Sequence, residues 1–98
     1  MKLLKKRFAV DTITENGLTF DANLVVSFTI VNKGQSDCQI GYKGGAPLIT
    51  VEKGTSVEMP GDSGYTWDGI WFVRFIGSSV GYVEIRKAIA STEEETSK

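Results

Sequence analysis

The clearest alternation of apolar and polar positions runs through Leu24, Val26, Phe28 and Ile30, with Asn23, Ser27 and Thr29 on the opposite parity. A side-chain period of two is that of a strand with one face in a core. Residues 22–32 are therefore predicted as a strand, with Val25 and Val31 as the exceptions to its pattern. A second stretch, from Asp68 to Phe75, departs from alternation in an informative way. Trp71, Val73 and Phe75 form an uninterrupted apolar set, while Ile70 and Phe72 flank Arg74 on the other parity. If the first set fills a core, the second offers more apolar surface than a small domain usually leaves wet. Ile70, Phe72 and Arg74 are thus the candidate partner-binding face, Arg74 being able to pack its stem and offer its guanidinium to a carboxylate. The competing reading has both faces internal, with Arg74 paired to Glu84 or Glu58.

The rest of the chain reads as short strands separated by turns. Phe8, Val10 and Ile13 lead into Glu15-Asn16-Gly17-Leu18. Asn-Gly between such flanks is a hairpin signal, which would set Thr14 against Thr19 and Ile13 against Phe20; a plain loop turn is the alternative. Cys38, Ile40 and Tyr42 alternate with Gln39, Gly41 and Lys43, and Gly44-Gly45-Ala46-Pro47 breaks the chain. Leu48–Val51 and Thr55–Met59 flank Glu52-Lys53-Gly54, a tight turn with Gly54 at positive φ. Pro60-Gly61-Asp62-Ser63-Gly64 is a second break. After Gly77-Ser78-Ser79 a last strand is predicted from Val80 to about Ile89, with Val83, Ile85, Lys87 and Ile89 on one face. A helix over Val83–Ala90 is the competing possibility there, since Ala, Glu, Lys and Arg favour helices.

Seven or eight short strands with turns between them predict an all-β fold, a single antiparallel β-sandwich, immunoglobulin-like or jelly-roll-like. Ninety-eight residues make one domain, and a chain of this size buries only about 60–65% of its unfolded surface. Residues 1–89 are assigned to the sandwich, with a basic N-terminal segment, and residues 90–98 to a disordered acidic tail.

Composition removes several chemistries. There is no histidine and one cysteine. A Ser-His or Cys-His nucleophile is excluded, and no metal site or cofactor is expected. Cys38, on the parity of Ile40 and Tyr42, is expected as a small buried hydrophobe. The formal net charge is −1, without the basic excess of a nucleic-acid binder. The charge is uneven: Lys2, Lys5, Lys6 and Arg7 open the chain and Glu93, Glu94 and Glu95 close it. No apolar run of about 7–15 residues marks a signal peptide, and none approaches the roughly 18 of a membrane span. A cytoplasmic location is expected, with neither nucleic acid nor membrane as partner.

The one constellation with a ligand-binding look is Tyr65 and Trp67 between Asp62 and Asp68, rings that could stack on a sugar with carboxylates beside them. No catalytic motif stands out, and the chain is not expected to be an enzyme.

Three stretches carry a family resemblance. They are Phe28-Thr29-Ile30-Val31-Asn32 ending in a polar turn; Ile49-Thr50-Val51-Glu52-Lys53-Gly54-Thr55-Ser56-Val57 with Pro60-Gly61 beyond; and the late aromatic strand with its Gly-Ser turn. From Leu24 to Ile89 the chain resembles the small β-sandwich accessory proteins of tailed bacteriophage virions, of the capsid auxiliary or decoration type. The resemblance implies a non-enzymatic structural role in a virion or host cytoplasm, with a capsid or related scaffold protein, or the chain itself as a homo-oligomer, for partner. No family-specific motif is matched, so no site residue follows from it. The alternative function is a carbohydrate-binding β-sandwich module using Tyr65 and Trp67.

Overall fold

The computed structural model describes the backbone of residues 2–61 and 65–94, and the side chains of residues 7–61 and 65–90. Eight strands run in the order β1 (Lys2–Glu15), β2 (Thr19–Asp21), β3 (Val25–Asn32), β4 (Cys38–Tyr42), β5 (Ile49–Val51), β6 (Ser56–Met59), β7 (Ile70–Phe75) and β8 (Val80–Glu94). They form two four-stranded antiparallel sheets, ordered β1-β8-β3-β6 and β2-β7-β4-β5. The fold is the expected all-β sandwich, and the strand order is that of an eight-stranded jelly roll, two Greek keys wrapped into facing sheets. Among the described residues there is no helix, and none long and apolar enough to cross a membrane.

The core lies between the sheets. Ile13, Phe28, Ile30, Val83 and Ile85 come from one sheet, and Phe20, Cys38, Ile40, Val51, Trp71, Val73 and Phe75 from the other. The parity assigned to β7 holds, since Trp71, Val73 and Phe75 are all buried. Trp71 is the hub. Its ring lies 5.5 Å from Phe28, 6.1 Å from Phe20 and 6.0 Å from Trp67 between centroids.

Three details differ from the sequence pattern. The alternation through residues 22–32 does not begin at Leu24. Leu24 precedes β3 with φ 63°, and its side chain is exposed, whereas Val25 is fully buried. A register irregularity between Val25 and Ser27 switches the parity, so that Phe28 and Ile30 continue inward. The Asn16-Gly17 turn joins strands of different sheets rather than a hairpin. Ile13 pairs with Val83 and Phe20 with Trp71, although Gly17 does take positive φ, at 96°. Asn16 instead locks the sheets together at their loops. Its backbone N–H donates to Ser79 O at 2.9 Å, and its Oδ1 accepts from Phe75 N at 2.8 Å. Finally, β8 runs on to Glu94, paired with β1 as far as Lys2. Residues 90–94, expected as disordered tail, are strand because the basic first strand gives them a hydrogen-bonding partner. Residues 95–98 lie outside the described residues.

Two buried polar residues tie the sheets. Asn32 Nδ2 donates to Ser36 O at 2.8 Å and Val51 O at 3.1 Å, while its Oδ1 accepts from Gly34 N at 3.1 Å. Lys87 follows the inward parity of Val83 and Ile85. Its ammonium donates to Asp21 O at 3.0 Å and lies 2.6 Å from Asp11 Oδ2, closing the end of the sandwich.

Truncating Phe28 to Ala removes a ring shared by both sheets. The expected cost is about 3–5 kcal/mol, a lowering of Tm by more than about 10 °C; an unchanged melting curve would contradict the assigned core. Burial pushes the Cys38 thiol up from 9.0 to about 11, against the smaller opposing effect of a hydrogen bond with the Val51 backbone. The unfolded thiol ionises near 9.0 and the folded one only near 11, so unfolding releases a proton between those values. Stability is therefore expected to fall as pH rises above about 9. A chemical-denaturation series from pH 8 to 11 on the wild type and Cys38→Ala measures this as a loss present in the first and reduced in the second.

Candidate docking surface

The outer face of the β2-β7-β4-β5 sheet carries the predicted triplet. Successive residues of a strand point to opposite faces, so burying Trp71, Val73 and Phe75 turns Ile70, Phe72 and Arg74 outward. Ile70 is 39% exposed, Phe72 is half-buried and Arg74 is exposed. Phe72 lies opposite Thr19 of β2 and Gly41 of β4. Gly41 is a glycine for a packing reason. A Cβ there would come within 2.7 Å of Ala46 O and 3.2 Å of the Phe72 ring and Pro47 Cα. The missing side chain lets the Ala46-Pro47 segment and the Phe72 ring close over the strand.

The Arg74 guanidinium stacks on Phe72, with Cζ 5.3 Å from the ring centroid. This cation–π contact holds the charge at the surface. The internal pairing of Arg74 with Glu84 or Glu58 does not occur. Glu84 and Glu58 belong to the other sheet, and Glu84 is held by Arg86 at 3.0 Å and Lys33 at 3.2 Å. Hydrogen bonds from Arg86 first and Lys33 second keep the Glu84 carboxyl below the usual carboxylate range.

Beside the triplet lies an open hollow of about 500 Å³, lined by Asn16, Gly17, Gly44, Gly45, Phe72, Val73 and Arg74. The β1–β2 turn and the β4–β5 loop form its walls. Sequence reading found the floor, Phe72 and Arg74, but not the walls. Asn16-Gly17 and Gly44-Gly45 signal turns without showing that the fold sets those turns side by side.

The sugar-stacking constellation is only partly assembled. Tyr65 is 75% exposed beside a hollow of about 270 Å³ that Val26, Pro60, Gly61, Thr66 and Trp67 complete. Trp67, however, packs edge-on against Phe28 at 5.6 Å and against Trp71, as an outlying part of the core. Asp68 is exposed, and its backbone carbonyl accepts from Trp71 Nε1 at 2.9 Å. Asp62 lies outside the described residues. Compared with known proteins, the chain matches no family model and no curated protein.

Gly41→Ala tests how the docking face is built. The added methyl meets backbone at 2.7 Å, so the 44–47 segment must move and the Phe72 ring with it. The expected cost is about 1–3 kcal/mol, read by denaturant unfolding, with the Phe72 ring resonances shifted in a proton spectrum.

Proposed function

We propose that this chain is a non-enzymatic structural protein that docks through the outer face of β7 on a larger scaffold protein, in the manner of the capsid auxiliary proteins it resembles. One observation carries the reading. Trp71, Val73 and Phe75 already fill the core side of β7, yet Ile70 and Phe72 place two more large apolar side chains on its outer side. A sheet with one wet face normally carries polar residues there. The surrounding chemistry suits a protein surface. An aromatic ring capped by an arginine, with polar neighbours Thr19 and Gln39 across the strands, has the composition of an interface centre with its rim. The partner that fits offers an apolar patch with a carboxylate placed for Arg74. The partial burial of Trp67 in the aromatic core leaves the carbohydrate-binding reading with Tyr65 as its only freely presented ring.

The double substitution Ile70→Ser, Phe72→Ser is expected to leave the domain folded, at a stability cost under about 2 kcal/mol, and to abolish binding. Binding is measured as co-sedimentation with shells assembled from the coat-type protein encoded beside this chain. Unfolding of the variant would show the patch to be core. Undiminished co-sedimentation would move the interface elsewhere, and a gene neighbourhood with no particle-forming protein would remove the virion reading.

A further inference from the structure

The four strands at the edges of the two sheets are unequal. β6 has 4 residues and β2 and β5 have 3 each, whereas β1 has 14. A short edge offers too few free backbone groups to template another strand; a long one presents a row of them. Proline and bulges, which often blunt such an edge, are absent from Lys2 to Ile13. The pairing of β1 with β8 is regular over that span, its one irregularity falling between Ile13 and Glu15. Among the described residues no strand pairs with the other side of β1.

Alternation gives the described part of this strand two faces. Phe8, Val10 and Thr12 point away from the core and are exposed, Phe8 at 83% and Val10 at 57%. Arg7, Ala9, Asp11 and Ile13 take the inward parity, and burial falls along them: Ile13 is buried, Asp11 and Ala9 are half-buried, Arg7 is exposed. The second sheet therefore covers β1 only toward Ile13 and Asp11, where Lys87 joins Asp11 to Asp21 O. The Asp11 side chain is still 38% exposed there, so its carboxylate can accept from a second cation. The segment Arg7-Phe8-Ala9-Val10-Asp11 is complementary to its own reverse. Set antiparallel to a second copy about Ala9, it places Phe8 opposite Val10 and Arg7 opposite Asp11, both favourable cross-strand pairs. A register centred on Phe8 sets Val10 opposite Lys6, and one centred on Val10 sets Arg7 opposite Ile13. Of the three, only the register about Ala9 joins apolar to apolar and cation to carboxylate.

We propose that two copies of this chain dimerise by pairing their β1 strands antiparallel about Ala9. The contact is isologous, with its two-fold axis at Ala9. It joins the two sheets into one, ordered β6-β3-β8-β1-β1-β8-β3-β6. The shared ladder runs from Lys5 of one copy to Ile13 of the other, where the irregularity of β1 ends it. Each copy's second sheet covers its own β1 only at the Ile13 end, so the two bodies stand at opposite ends of the ladder and do not collide. The backbone of β1 and β8 that runs past the end of β3, to Lys2 and Glu94, then lies beside the sheet of the other copy. Pairing uses the one long edge. The joined sheet ends at the four-residue β6 on both sides, so assembly stops at two copies. The interface shares no residue with Ile70, Phe72 and Arg74 and is independent of the β7 docking face.

Sedimentation velocity on the full chain is expected to show a dimer. Phe8→Lys/Val10→Lys alters only exposed side chains, and is expected as a monomer with its β-sheet circular dichroism retained. Arg7→Glu sets like charges opposite one another at both symmetric sites, and is expected to raise the dimer dissociation constant about tenfold. Ile70→Ser/Phe72→Ser is expected to stay dimeric, which separates this interface from the docking face. Cross-linking reads the register. Lys6 and Thr12 lie opposite each other across the two-fold axis, whereas either residue lies far from its own counterpart. An equimolar mixture of Lys6→Cys and Thr12→Cys is therefore expected to give a disulfide-linked dimer on mild oxidation, and each variant alone is not; Cys38 is buried and takes no part. A monomeric wild type, a dimer indifferent to Phe8→Lys/Val10→Lys, a dimer lost with Ile70→Ser/Phe72→Ser, or a mixture that links no better than Thr12→Cys alone would each overturn the proposal.

Discussion

The burial of Trp71 is the contact on which the two sheets depend. Its ring is met by Phe20 from its own sheet, by Phe28 from the opposite one and by Trp67 from the segment that crosses between them. Edge-to-face and offset contacts of this kind add about 0.5–1.5 kcal/mol each beyond the area they bury. In a chain of 98 residues the core is small. A shared aromatic cluster joins the sheets with few residues, and no disulfide is present to do so in its place.

The jelly-roll order makes such a cluster necessary. Of the seven links between successive strands, only β4–β5 joins hydrogen-bonded neighbours; the other six all pass from one sheet to the other. Crossing segments strip backbone groups of ladder partners, and buried groups without partners are costly. Asn16 and Asn32 answer this with side-chain amides that bond the passing backbone. Lys87 does the same at the opposite end, its stem among apolar neighbours and its ammonium on Asp21 O and Asp11.

With the core so arranged, each sheet has an outer face or edge left over for contact. The β2-β7-β4-β5 sheet presents Ile70, Phe72 and Arg74 next to a hollow made by two turns. In the other sheet β1 and β8 run on together past the end of β3 to Lys2 and Glu94.

The sequence by itself determined the strands and the inward set of β7. Period-two alternation and uninterrupted apolar parity are local consequences of strand geometry, and they placed Trp71, Val73 and Phe75 inside and Ile70, Phe72 and Arg74 outside before any pairing was known. It also marked Lys87 as sharing the face of Val83 and Ile85, without a reason. Tertiary structure alone decided the partners. Asn16-Gly17 reads as a hairpin because turn chemistry is local, whereas the choice between pairing β1 with β2 or with β8 depends on which arrangement buries Ile13 and Phe20 together. The parity of Val25 depended on an irregularity in the pairing of β3 with β8, invisible from β3 alone. The acidic end of the chain reads as a tail because it has no apolar residue to bury; it is a strand to Glu94 because the fold brings the backbone of the basic first strand beside it. Side-chain pattern is written along the chain, but hydrogen-bonding partners come from distant segments, and only the folded topology brings those segments together.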